Sequence, residues 1–290
     1  MGLIGGSEGR ASSKLFELSQ LGRRNRFRNE AAIRGLCANA YLGEGSLICR
    51  VLGRYKLFVD AADIGLSSHL LLDGYWEMWL TEMLADVVKP GMVVVDIGAN
   101  LGYFTMLMSD LVGPLGRVHA FEPNPYIAER LERSIAVNGL HARTVVHTEP
   151  LSEFETDVVL VVPAGEPKNG YIAAPDFNPA NGERVIGMRT RRFDSFADMA
   201  DADVIKIDAD GSEELIWRGM SGHLSRGRPL IVFLEFAASR YPDAEAFIAR
   251  IKADGFSIGR LTLTDGEQAV TTDEILAEPR DCDIMLVLRR

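Results

Sequence analysis

The chain has 290 residues, 47% of them hydrophobic, enough for one large core with an appendage. Its formal charge of −10 is spread along the chain without a basic tail, which disfavours a sequence-independent hold on nucleic acid. Cys37, Cys49 and Cys282 show no redox or zinc spacing, and no run approaches the roughly 18 apolar residues of a membrane span, so a reduced, cytoplasmic protein with no integral membrane segment is expected.

The opening MGLIGGSEGR lacks the apolar stretch of a signal peptide, misses the myristoylation pattern at Gly6, and reads as a flexible leader. Residues 14–36 mix Leu, Phe and Ile with basic side chains, as surface helices do, and GRRNRFR within them offers a grip for an acidic partner or a plain solvated face. SLICRVLGRYKLFVD then predicts two short strands around Gly53, and WEMWLTEMLADVV a helix stopped by Lys89, Pro90 and Gly91. Residues 1–88 thus form an N-terminal helical and hairpin extension, a cap over the substrate crevice, ahead of a domain at 89–290.

From residue 92 onward strand-like runs (MVVVDI, RVHAF, RTVVHT, DVIKI, PLIVFLEF) alternate with helical ones (YFTMLMSDLV, IAERLERSIAVN, ELIWRGM, AEAFIARIKADG), the pattern of βαβ units. The stretch between Val158 and Arg192 turns rich in Gly, Pro and Asn and is expected to be an excursion near the active face. FSIGRLTLT and DCDIMLVLRR lack a convincing crossover helix between them, so the final strand should pair antiparallel. The expected fold is α/β: a doubly wound, mostly parallel, Rossmann-like sheet of about seven strands with an antiparallel final strand.

Asp96 closes the first strand of this series, and Gly98-Ala99-Asn100-Leu101-Gly102 opens the following helix, at the carboxyl end of the sheet where ligands of such folds sit. Gly-x-x-x-Gly is not the dinucleotide spacing, and no Lys-Ser/Thr follows, so a phosphate cradle is disfavoured. Glu122, 26 residues after Asp96, ends the next strand, with Pro123 and Asn124 beside it, and is placed to accept both hydroxyls of a ribose. Negative charge from Asp96 suits an ammonium or sulfonium group, and free N–H groups at the helix start suit a carboxylate. S-adenosylmethionine combines all three features.

On GRYKLFVDAADIGLSSHLLLDGYWE, KPGMVVVDIGANLGYFT, AFEPNP, VNGL, DVIKIDADGSEELIWRGM and FLEF, roughly residues 50–236, the chain resembles the FkbM family of S-adenosylmethionine-dependent methyltransferases. DIGANLGYFT and AFEPNP are shared by many class I methyltransferases and imply the cofactor, whereas KIDADGSE points to this family. Asp210 and Ser212 depart from the K-I-D-V-E-G-A-E that the family's element resembles. The resemblance implies transfer of a methyl group to a hydroxyl of a sugar, glycan or polyketide-like small molecule.

For the chemistry, strand DVIKID puts Lys206 and Asp208 on one face, with Asp208 at the ligand end as first candidate for a base or substrate contact. Lys206 either neutralises carboxylates or acts on substrate, and Glu235, closing the next strand, is a third catalytic candidate. Asp208, Asp210 and Glu235 have the oxygen chemistry for a divalent ion, but carboxylates tying down helix starts look the same, and no metal is favoured. Glu149 and Pro150 should wall the adenine, Tyr103 touch the methionine portion, and Glu77, with Tyr75, close over the cofactor; Trp76 and Trp79 have the spacing of a packing pair. His147 and His223 form no constellation with Ser, Cys or a second ligand. Two other readings use the same residues: a nicotinamide-dependent oxidoreductase, and a binding protein for S-adenosylmethionine without catalysis.

Overall fold

A computed structural model describes residues 15–23, 25–163, 170–180 and 182–290; the expected leader, Arg24 of the basic run and residues 164–169 of the excursion lie outside the described residues. After a 3-10 turn at Leu18–Arg23 come helix α1 (Arg26–Leu36) and an antiparallel sheet of β1 (Asn39–Gly43), β2 (Ser46–Val51) and β3 (Tyr55–Asp60). The expected hairpin is β2–β3, turned at Leu52 and Gly53, both with left-handed φ. β1 was not anticipated, because this edge strand is exposed for most of its length and has no apolar alternation to betray it. Helices α2 (Leu66–Leu72) and α3 (Met78–Val87) follow, and α3 stops before Lys89 and Pro90 as expected.

The central sheet uses β4 (Val93–Ile97), β5 (Arg117–Phe121) and β6 (Thr144–His147), with α4 (Tyr103–Leu111) and α5 (Pro125–Val137) between them. The chain then leaves it for a second antiparallel sheet, β7 (Asp157–Val162), β8 (Tyr171–Ala173) and β9 (Arg184–Arg189). It returns through β10 (Val204–Ile207), α6 (Glu213–Gly219), α7 (Ser221–Leu224), β11 (Ile231–Phe236), α8 (Ala244–Ala253), β12 (Ser257–Thr262), β13 (Gly266–Ala269), α9 (Thr272–Ala277) and β14 (Ile284–Arg289). Strand order is β13-β12-β14-β11-β10-β4-β5-β6, with β4, β5, β6, β10 and β11 parallel and β14 antiparallel to both its neighbours. The sheet therefore has eight strands where about seven were expected. β13 is the polar GEQA, and α9 begins with a Thr271–Glu274 capping box inside the segment where no crossover helix was read.

Alternation along β4 sends Val94 to one face and Val95 and Ile97 to the other. The Val94 face packs against α4, α5 and the N-terminal Leu21, Ile33, Leu57, Leu80 and Leu84, so one apolar core runs across residue 88. On the other face, Ile216 and Trp217 of α6 and Phe247, Ile248 and Ile251 of α8 cover β10 and β11. Because α4 and α6 leave the adjacent strands β4 and β10 for opposite faces, a crevice opens at those strands' carboxyl ends.

Candidate active site

The loop after β4 has a geometry that only glycine permits at its first position. Gly98 has φ +76°, and a Cβ there would lie 1.7 Å from the carbonyl oxygen of Asp208, so the loops after β4 and β10 meet backbone to backbone. Gly98 and Ala99 donate their N–H groups to the Phe121 carbonyl at 3.0 and 2.9 Å. Asn100, also left-handed at φ +51°, donates to Glu122 Oε2 at 2.9 Å and accepts from the Leu101 N–H through its own side chain at 2.8 Å. Gly102 N–H donates to the Ala99 carbonyl at 2.9 Å. Every amide from Gly98 to Gly102 is thus used inside the protein, whereas the next N–H groups, those of Tyr103, Phe104 and Thr105 in the first turn of α4, have no such partner among the described residues.

Glu122 is the other half of this latch. Its Oε1 accepts from the Asn124 N–H at 2.8 Å, and Asn124 in turn caps α5 by accepting from the Tyr126 N–H at 3.1 Å. Burial pushes the Glu122 carboxyl up to about 7 against the pull of the Asn124 and Asn100 amides. The residue still faces the crevice, which Pro123 also lines.

Asp96 is placed differently from the ligand-flanking position expected of it. Fully buried, it accepts from Thr105 Oγ1 at 2.6 Å and lies 3.6 Å from Lys206 Nζ, so its charge reaches the crevice through the lysine rather than from the wall. Burial raises the Asp96 carboxyl, and Lys206 and Thr105 counteract it. Lys206, itself 1% exposed, sits 3.0 Å from Asp208 Oδ2 and over the Phe104 ring. Burial works against the ammonium, but Asp208 and Asp96 outweigh it and hold it above its ordinary value. Lys206 is therefore a fixed, saturated cation.

Beyond Asp208 the chain makes a second left-handed step, Asp210 at φ +46° and Gly211 at φ +98°. Aspartate tolerates this conformation better than most side chains, which gives a physical reason for Asp at 210. The turn is tied by Glu213, fully buried, which accepts from the Ala209 and Gly211 N–H groups and from the Tyr241 hydroxyl. Arg240 gathers the remaining carboxylates: it donates to Glu235 at 2.5 Å and lies 2.9 Å from Asp283 and 3.6 Å from Asp210. Burial and the charge of Asp208 nevertheless push the Glu235 carboxyl well up, against Arg240. Glu77 is raised to about 7 by burial and by the charge of Asp208. Asp208, Asp210 and Glu235 do not converge: among the described residues no group of three or more His, Cys, Asp or Glu is arranged to hold a metal ion.

The structure thus brings Gly98, Ala99, Asn100, Tyr103, Glu122, Pro123, Glu149, Pro150, Lys206 and Asp208 to one cavity. Gly102, Asn124, Glu77 and Glu235, also expected at the site, are not among the residues that line it. Glu149 also pairs with Arg191 at 3.7 Å. Sequence reasoning placed the stretch from Val158 to Arg192 near the active face but did not single out Leu160, Tyr171 and Ile172 of β7 and β8 as a wall, and it assigned Trp76, another wall residue, to packing. Arg240 and Asp283 carried no motif; the signal available was a cation five residues after Glu235. His147, read as isolated, has His119 Nδ1 3.1 Å from its Nε2 and stacks on Phe121. Burial lowers both imidazoles, so this is a neutral pair behind the cavity wall.

The donor set suits a cationic nucleoside better than a dinucleotide. A pyrophosphate would meet no free amide from Gly98 to Gly102, and Lys206 in the cavity wall and Arg240 beyond it are already engaged by carboxylates. A ribose diol finds Glu122, an adenine finds Phe121, Pro150 and Leu151, and a positive sulfur finds an excess of carboxylate.

Comparison with known proteins adds a family. A family model described as the methyltransferase FkbM domain matches residues 96–258, more than half of the chain. The wheat (Triticum aestivum) protein-L-isoaspartate O-methyltransferase is 39% identical over 59 residues, 19% of this chain; the match spans only 26% of that relative's length. Among solved structures, Pyrococcus horikoshii TYW2 in complex with MeSAdo aligns at 16% identity over 93% of this chain and 84% of its own, with a TM-score of 0.43. A SAM-dependent O-methyltransferase from Thermotoga maritima aligns at 13% identity over 84% and 77%, with a TM-score of 0.41.

Proposed function

The chain belongs to the FkbM methyltransferase family, whose cofactor is S-adenosylmethionine, and from that premise we propose that it methylates a hydroxyl of a sugar, glycan or polyketide-like small molecule. The observation that carries the cofactor half is the closed hydrogen-bonding of the Gly98–Gly102 amides beside Glu122, which supports a ribose partner at Glu122 over a phosphate cradled by the glycine loop. Glu122 holds the ribose, Glu149, Pro150 and Leu151 frame the adenine, and Tyr103 and the first amides of α4 lie by the methionine portion. Asp208 contacts the acceptor hydroxyl, with Lys206 fixing its rotamer and balancing its charge. Glu235 steadies the far side through Arg240, and the 1–88 region caps the crevice with Leu66 and Trp76.

Bound S-adenosylmethionine supplies an electrophilic methyl group. The protein's part is to hold the hydroxyl in line with it, exclude water and receive a proton. Carboxylates around the acceptor space favour neutral polyhydroxylated acceptors over anionic ones.

Calorimetry with S-adenosylhomocysteine and with NAD tests the cofactor, and methyl transfer to a panel of sugars and hydroxylated metabolites tests the acceptor. We expect binding of the homocysteine nucleoside, none of NAD, and transfer to at least one panel member. Tight NAD binding with no response to S-adenosylhomocysteine would overturn the reading.

A further inference from the structure

Trp76 reaches the cavity from outside the central sheet, and a buried relay of two hydroxyls fixes its peptide. Thr81 Oγ1 donates to the Trp76 carbonyl at 3.0 Å. A hydroxyl has one proton to give, so in the second contact, also 3.0 Å, the Tyr103 hydroxyl donates to Thr81 Oγ1. Thr81 is wholly buried and Tyr103 nearly so, and both Tyr103 and Trp76 line the cavity. The residue after Trp76, Glu77, has a left-handed backbone, φ 36° and ψ 64°, which side chains bearing a Cβ avoid. The relay therefore holds a strained step, and such steps persist only where their surroundings over-determine them.

We propose that Trp76 is a specificity-determining residue that binds a cyclic sugar acceptor against its indole, and that Thr81 and Tyr103 are positioning residues for it. This rests on the methyltransferase reading above. In the strand order β10-β4-β5-β6 the groups suited to adenosine, Phe121, Glu122, Glu149 and Pro150, follow β5 and β6. Trp76 comes from the other direction, for it precedes α3, which packs against α4 and against β12 on the far side of β10. With Leu66 and Asp208 it lines the part of the cavity that the nucleoside leaves for the acceptor. A pyranose has an apolar C–H face and hydroxyls on its edge, so one ring meets both the indole with Leu66 and the carboxylate of Asp208. An open-chain polyol has no such face to offer.

The test uses the full chain with 5-fluorotryptophan at Trp76, Trp79 and Trp217, saturated with S-adenosylhomocysteine, the Trp76 fluorine signal being assigned from Trp76→Phe. Titration with a set of methyl pyranosides should move that signal for at least one of them, and linear polyols of the same carbon number should leave it in place. A signal that no pyranoside moves, or that polyols move equally, overturns the proposal. Thr81→Val removes the relay while keeping the side chain's shape. It should displace the Trp76 signal before any sugar is added and weaken the pyranoside titration about tenfold, because the indole is no longer held in place beforehand. Tyr103→Phe should do the same, and Thr81→Ser, which keeps the hydroxyl, should restore both readings. An unchanged signal and titration in Thr81→Val and Tyr103→Phe would show that packing alone places the indole, and the positioning role would be wrong. Failure of the methyltransferase reading looks different: wild type would then not bind S-adenosylhomocysteine at all.

Discussion

At the Gly98–Gly102 end of the crevice each loop amide has a partner within the protein and Glu122 clamps two strands' loops together, whereas at the Glu77–Glu235 end carboxylates outnumber the cations Lys206 and Arg240. The first region behaves as a finished cradle, whose shape is set before a ligand arrives. The second gathers carboxylates, and there Glu77 and Glu235 are pushed up by burial first and by the charge of Asp208 second. A site built this way recognises its cofactor by shape and reserves its electrostatics for the reacting groups.

The sharpest way to break the cradle is Gly98→Ala. A methyl group would meet a backbone oxygen that cannot swing away, at a φ that alanine avoids, so we expect a loss of more than about 3 kcal/mol in urea unfolding, or no soluble protein. Next in size is Lys206→Met, which leaves the buried Asp96 carboxylate without its cation and should cost roughly 3 kcal/mol. The double variant Asp96→Asn with Lys206→Met should recover part of that loss; equal or greater destabilisation would show that Lys206 acts through packing on Phe104 instead. Glu122→Gln keeps the shape but turns one acceptor into a donor facing the Asn124 or Asn100 amide. Calorimetry should report about a 10- to 100-fold weaker hold on S-adenosylhomocysteine.

The fold was legible because βαβ units advertise themselves: apolar runs of β4, β10 and β11 alternate with amphipathic helices, and the antiparallel β14 follows from the missing long crossover. β1 and β13 were not legible, being edge strands with polar or exposed residues and no buried face to impose a period. At the site, Asp96, Gly98 and Glu122 could be found because backbone geometry and chain order fix them. That Asp96 lies behind the loop was not readable, since it depends on Thr105 of α4 claiming the carboxylate. The Arg240–Asp283 pair joins segments more than 40 residues apart in a contact that no local pattern encodes, and the β7–β8 wall comes from a hairpin whose turn signals looked like an irregular excursion.

The smallest effect separates the two regions most cleanly. Glu77 and Glu122 lie near 7 in the folded protein and Glu235 is raised as well, against an ordinary value near 4.5, so between about pH 5 and 7 the folded chain retains protons that the unfolded chain has released. Stability linked to these groups is therefore full at or below their unfolded values and is lost as pH rises through their folded ones. The apo protein should melt a few degrees lower, roughly 3–6 °C, at pH 8 than at pH 5.5. General repulsion from a net charge of −10 acts in the same direction, so the slope alone does not identify its source. Substitution does: Glu77→Gln and Glu235→Gln should each flatten the slope, and saturating S-adenosylmethionine, with its positive sulfur, should flatten it more than the uncharged-sulfur S-adenosylhomocysteine. Equal flattening by both nucleosides would place the sulfur away from Glu77, and the division of the crevice into a shape-selective and a charge-selective half would have to be redrawn.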